Sequence, residues 1–165
     1  MKTLYLVRHA KSSWADPSLS DFERPLNGRG KRDAPVMGGR LKRRGIMPDL
    51  MLSSPAKRAF KTCKVIAKEI GYPKESIVRD RAVYHADEDE LLEIMQQQDD
   101  KYESIMLFGH NPGFTYFANE LAHTEIDNIP TCGVFACELN IEQWSELRFG
   151  TAKMLFFDYP KKLVW

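Results

Sequence analysis

Three short apolar runs, Leu4-Tyr5-Leu6-Val7, Leu50-Met51-Leu52 and Ser104-Ile105-Met106-Leu107-Phe108, read as buried strands, and the stretches between them carry helical spacing. A strand that is covered on both faces needs helices on both sides of its sheet. The pattern predicts a single three-layer α/β/α domain over residues 1–165, with a mainly parallel central sheet.

Between the first two runs, Ala34, Met37 and Leu41 support a helix within Gly30 to Arg44 that Gly45 ends; Pro35 and the Gly38-Gly39 pair oppose it. Ala59, Cys63, Ile66, Ala67 and Ile70 form the buried stripe of a second helix, stopped by Gly71. Its outward face carries Lys57, Lys61, Lys64 and Lys68, read as solvated charge. Asp87 can cap a third helix, with Glu90 three residues on, and Phe114, Phe117, Ala118 and Leu121 mark a fourth. The segments Val134 to Leu139 and Ala152 to Phe157 follow with no long helix between them, which predicts antiparallel C-terminal strands.

Lys and Arg total 24 against 23 Asp and Glu, so the chain has no general attraction for nucleic acid or an acidic membrane, and any positive field is local. The Lys42-Arg43-Arg44 cluster fits a helix C-terminus. Cys63, Cys132 and Cys137 lack Cys-x-x-Cys spacing and sit among apolar residues, as structural thiols do. Met1-Lys2-Thr3 leads directly into strand-like sequence, and no run approaches the roughly 18 apolar residues of a membrane helix. The expectation is a cytoplasmic protein without a membrane partner, by default a monomer, with Leu163-Val164-Trp165 packed on the domain.

The strand exits carry the chemistry. Arg8-His9-Ala10 follows the first run, Gly109-His110-Asn111-Pro112-Gly113 the third, and Ser53-Ser54-Pro55-Ala56-Lys57-Arg58 the second. In open α/β sheets ligands bind at the carboxyl ends of strands. Two histidines and two arginines gathered there suit a phosphoryl group: Arg8 and Arg58 offer planar forks to phosphate oxygens, and Arg58 at a helix start needs an anion to compensate it. A neutral His9 can attack phosphorus through one ring nitrogen while a backbone carbonyl holds the proton on the other, and a protonated His110 would be a further donor. Gly109 would let backbone approach a ligand closely. His85 either lines the rim or occupies a loop, His123 reads as a helix C-terminal cap or a surface residue, Arg24 shapes its loop or touches substrate, and Trp14 packs its loop, contacts substrate or covers the pocket. Asp16, Asp21, Glu23 and Asp87 are loop charges or candidate acids.

The segments Leu6-Val7-Arg8-His9-Ala10, Ser54-Pro55-Ala56-Lys57-Arg58-Ala59-Phe60-Lys61-Thr62 and Gly109-His110 together resemble the histidine phosphatase (phosphoglycerate-mutase-like) superfamily, and within it the small SixA-like phosphohistidine phosphatases. The resemblance spans essentially the whole chain, from Asp21-Phe22-Glu23-Arg24-Pro25-Leu26-Asn27-Gly28-Arg29-Gly30 to Pro160-Lys161-Lys162-Leu163. It implies a nucleophile at His9, phosphate-binding arginines at Arg8 and Arg58, a second histidine at His110, and a covalent phospho-His9 intermediate without metal or cofactor.

One departure from larger members bears on substrate. Asn111 stands where acid-phosphatase-like members have an aspartate, and no inserted helical lid is evident. An alkoxide is a poor leaving group without a general acid, whereas a phosphohistidine nitrogen leaves more readily. The expected partner is therefore a phosphohistidine-bearing protein; a small phosphorylated metabolite, with a loop carboxylate as acid, and a non-catalytic phosphoprotein-binding module are the alternatives.

Overall fold

The computed structural model describes residues 1–162, so the expectation for Leu163-Val164-Trp165 lies outside the described residues. One six-stranded sheet organises the chain, with strands β1 (Lys2–Arg8), β2 (Leu50–Ser53), β3 (Val78–Arg79), β4 (Ser104–Gly109), β5 (Val134–Leu139) and β6 (Ala152–Asp158) in the order β3-β2-β4-β1-β5-β6. The pairs β1·β4, β2·β4 and β2·β3 are parallel, and β1·β5 and β5·β6 are antiparallel. The mainly parallel sheet with antiparallel C-terminal strands is thus as the sequence predicts. The two-residue β3 carries too little pattern to be read in advance.

Helices α1 (Gly28–Arg43) and α2 (Lys57–Ile70) pack against one face, where Ala34, Met37, Leu41, Cys63 and Ile66 meet Val7, Met51 and Met106. Helices α3 (Glu88–Gln96) and α4 (Gly113–Ala122) cover the other, where Leu91, Met95, Phe114 and Phe117 meet Leu4, Leu6, Ile105 and Leu107. Alternate residues of β1 and β4 therefore feed opposite cores, which is why both strands read as continuous apolar runs. Strand β5 is buried on both faces apart from half-buried Glu138, with Phe135, Cys137 and Leu139 in one core and Val134 in the other, and β6 pairs with its far edge.

Helix α1 runs unbroken through Pro35. The bond that Pro35 cannot donate is outweighed by the buried Ala34, Met37 and Leu41 stripe and by the Asn27 side chain, which accepts from Gly30 N at the N-cap. Gly38 is demanded by packing, since a Cβ there would lie 2.7 Å from Cβ of Glu69 on α2. The capping box expected at Asp87 and Glu90 is formed, Arg44 caps α1, and His123 is the left-handed C-cap of α4 with φ of 52°. All three cysteines are free and buried.

The topology locates the site. The chain leaves β1 for α1 on one face and leaves the adjacent β4 for α4 on the other. Such a divergence between neighbouring parallel strands opens a crevice at their carboxyl ends.

Candidate active site

Arg8 pairs in register with Gly109, so the residues immediately after these strands, His9 and His110, emerge side by side, their ring centroids 5.3 Å apart. The backbone of His9 is fixed from both flanks, by its N–H on Gly109 O at 3.1 Å and by Cys132 N–H on its carbonyl at 3.0 Å. Its Nδ1 lies 2.7 Å from Ala10 O; a carbonyl only accepts, so Nδ1 carries the hydrogen and Nε2 keeps its lone pair. Ala10 N–H in turn donates to Thr62 Oγ1 at 2.9 Å, and the Thr62 hydroxyl donates to Arg58 O at 2.8 Å. This chain of contacts couples the His9 loop to the first turn of α2.

The arginines are held by different means. Arg8 donates through Nη1 to Ile129 O at 2.9 Å and makes no ion pair among the described residues. Arg58, in the first turn of α2, donates to Asp21 O at 2.6 Å and to Asp21 Oδ2 at 2.9 Å. Asp21 is thus the protein's own anion for the unfavourable cation at that helix start. Its carboxylate also accepts from Tyr84 Oη at 2.6 Å and from Arg24 Nη1 at 3.2 Å. Arg24 is buried, donates to Ser12 Oγ and lies over the Trp14 ring at 3.4 Å. Trp14 is 74% exposed, so it does not pack its loop on the domain.

Electrostatics follow from burial. Desolvation lowers the His9 pKa from its ordinary 6.5 to about 4; the Ala10 hydrogen bond opposes this, while the charges of Arg58, Arg8 and Arg24 reinforce it. His110 falls to about 3, by burial first and then by His9, Arg58 and His85. These values leave both rings neutral near pH 7, so the donor role expected of a protonated His110 would need an anion beside it. Desolvation pushes the Asp21 carboxyl up, but hydrogen bonds from Tyr84 and Arg58 and the charges of Arg58 and Arg24 outweigh it and leave the pKa at about 2.

An NMR titration is expected to find His9 changing protonation near pH 4 instead of near 6.5. Both rings bind protons more readily in the unfolded chain, so stability present above pH 6.5 is lost as pH falls through the folded-state values near 4 and 3. The melting temperature should drop across that window. A His9 midpoint near 6.5 would remove the argument for a neutral ring.

The buried side-chain nitrogens and oxygens without a partner are Arg8 Nε, Arg24 Nε, Arg58 Nε and His110 Nδ1 among the described residues. Every one belongs to this crevice. Folded proteins seldom bury so many unpaired polar atoms together, and arginine Nε–H groups are satisfied only by acceptors.

The four residues singled out in the sequence, His9, Arg8, Arg58 and His110, are brought together, and Arg24 and Asp21 join them. His85, at φ of 63°, stacks on Tyr84 at 3.8 Å and lines a cavity of about 180 Å³ beside His110, which settles its position at the rim. Asp16 instead accepts from Ser18, Glu23 is exposed and Asp87 caps α3. Gly109 does not face a ligand as expected: a Cβ there would lie 2.6 Å from the Phe114 ring, so packing requires the glycine. Asn111 braces its turn, donating to Asn128 Oδ1 and Ile129 O and accepting from Thr115. Sequence reasoning assigned no role to Ser54, whose Oγ lies 2.8 Å from His110 Nε2, or to Tyr84. A serine directly after a strand that exits into the crevice was a usable signal; Tyr84, in a loop, gave none.

Residues 4–105 match the family model of the histidine phosphatase superfamily (branch 1). The chain belongs to the histidine phosphatase superfamily. It is 32% identical over 153 residues to an uncharacterized chloroplastic protein of Arabidopsis thaliana, a match covering 88% of this chain and 70% of the relative. It is 36% identical over 88 residues to the 2,3-bisphosphoglycerate-dependent phosphoglycerate mutase of Brucella ovis, covering 52% of this chain but 43% of the mutase, so it spans less than half that relative's length. A solved histidine phosphatase fold, the candidate phosphohistidine phosphatase SixA from Agrobacterium tumefaciens, superposes with a TM-score of 0.83 at 27% identity over 96% of this chain and 98% of that one. The SixA-like resemblance read from the motifs thus extends to the whole fold. Among the described residues no group of three or more His, Cys, Asp or Glu is placed to hold a metal ion, and no helix is long and apolar enough to cross a membrane.

Proposed function

We propose that this histidine phosphatase hydrolyses phosphohistidine on a protein, with His9 as nucleophile and Arg8, Arg58 and His110 as the phosphoryl cradle. The observation that carries this reading is the set of unpaired buried nitrogens around a His9 ring whose Nε2 lone pair is free. His9 Nε2 attacks phosphorus, the substrate's P–N bond breaks, and the departing imidazole is protonated from solvent. Water then attacks phospho-His9, releasing inorganic phosphate and restoring the ring. The arginines hold charge on the nonbridging oxygens through both steps.

Support for a nitrogen leaving group comes from Asp21. It is the carboxylate tied into the arginine cluster, and at a pKa of about 2 it holds no proton to give an alkoxide near neutral pH. A small phosphorylated metabolite is the second reading, favoured by Asp87 and Glu88, which line the cavity beside His110.

The test is a time course of a phosphohistidine peptide beside an alkyl phosphate ester. Rapid loss of phosphohistidine with the ester untouched is the expected result. Ester turnover alone would transfer the assignment to a metabolite, and turnover of neither would favour a binding module.

A further inference from the structure

The lysines of α2 face solvent and also line a groove. Lys31 of α1 and Lys61, Lys64, Lys68 and Lys74 border a groove of about 640 Å³ in which Glu69 is the one carboxylate. A neighbouring hollow of about 500 Å³ shares Lys31, Lys61 and Lys64 and adds Lys57. The whole chain nearly balances 24 basic against 23 acidic residues, so six lysines to one glutamate on a single surface is a segregation of charge. None of the six forms an ion pair among the described residues. Lys64 registers the crowding: burial, then Lys61, Lys74 and Arg79, lower its pKa.

The surface also leads to the crevice. Lys57 directly precedes Arg58, and Pro25 and Leu26, which line the second hollow, directly follow Arg24. We propose that this lysine groove docks an acidic surface of the phosphohistidine-bearing protein and so delivers the phosphorylated side chain to His9. The inference rests on the phosphohistidine reading and adds the charge of the partner. A nucleic acid fits less well, because neither aromatic ring lining this surface is open for a base to stack: Phe60 is flanked by Lys64 Nζ and Arg79 Cζ, each 4.6 Å from its centroid, and Tyr72 is buried.

The experiment compares two phosphohistidine peptides, one flanked by glutamates and one by glutamines, on wild type and on Lys61→Glu/Lys64→Glu. At low ionic strength wild type is expected to show kcat/KM about tenfold higher for the glutamate peptide, an advantage that salt or the double substitution removes. Hydrolysis of p-nitrophenyl phosphate, too small to reach the groove, should be unchanged, which shows that the variant is folded. Equal turnover of both peptides by wild type overturns the docking surface.

Binding of the unphosphorylated glutamate peptide, followed by fluorescence anisotropy, separates the two levels of inference. If neither peptide is hydrolysed, the substrate reading fails, and this binding alone decides the groove: weakening by the double substitution upholds it, and indifference overturns it. Tighter binding of an oligouridylate than of the glutamate peptide would also overturn it, in favour of a nucleic-acid surface.

Discussion

His9→Ala is expected to lower turnover of a phosphohistidine peptide by about a thousandfold or more while leaving the chain folded, because it deletes the attacking atom. The ring is suited to attack because Ala10 O holds the hydrogen on Nδ1, at 2.7 Å, and burial keeps the pKa near 4. His110 is not equivalent, since its Nε2 is engaged by Ser54 Oγ at 2.8 Å. The cost to stability is modest, since the one side-chain hydrogen bond lost contributes roughly 0.5–1.5 kcal/mol. Circular dichroism and the melting temperature should stay close to wild type. The decisive readout is acid-labile phosphate on the protein after brief mixing with substrate, expected in wild type and absent in the variant. Normal activity in His9→Ala, or retained labelling, would pass the nucleophile to another group.

Much of this arrangement is written locally in the chain. The runs at Leu4 to Val7 and Ser104 to Phe108 are legible because both faces of β1 and β4 are buried, and the histidines are legible because they directly follow those runs. Arg58 is legible because a cation in a helix's first turn calls for an anion. What the chain does not spell out is which anion. Asp21 lies 37 residues away and meets Arg58 only when the loop before α1 folds over the start of α2, so nothing in its local sequence separates it from Asp16. Tyr84 is hidden for the same reason. Gly109 misled because a glycine beside a histidine reads equally as a ligand contact or as a packing necessity; the Phe114 ring of the following helix decides for packing.

Charge on the α2 face shows the same limit. Its lysines recur at the spacing of any solvated helix surface, and only the placement of Lys31 and Lys74 beside them turns a stripe into a groove. Spacing along one helix reports exposure. It does not report what neighbouring elements add to the exposed surface.

Arg58→Ala should also separate catalysis from stability. Turnover is expected to fall about a hundredfold or more, since in the proposed mechanism the guanidinium would neutralise charge that spreads over the phosphoryl oxygens in the transition state. Folding should scarcely respond, because two effects oppose each other. Removing a cation from the first turn of α2 relieves an unfavourable interaction with the helix dipole of roughly 0.3–1 kcal/mol. The lost contacts join a 6% exposed Arg58 to a 41% exposed Asp21, so their loss costs more than that of a surface pair, and relief of the repulsion between Arg58 and the neighbouring Arg8 and Arg24 offsets it. Asp21 loses the hydrogen bond and charge that help hold its carboxyl near 2, so its pKa should rise in the variant. Vanadate inhibition checks the assignment independently of turnover, because it reads oxyanion binding at the same cradle. Weakened inhibition with an unchanged melting temperature places Arg58 on the phosphoryl oxygens; inhibition equal to wild type would confine it to holding Asp21 and the loop over α2.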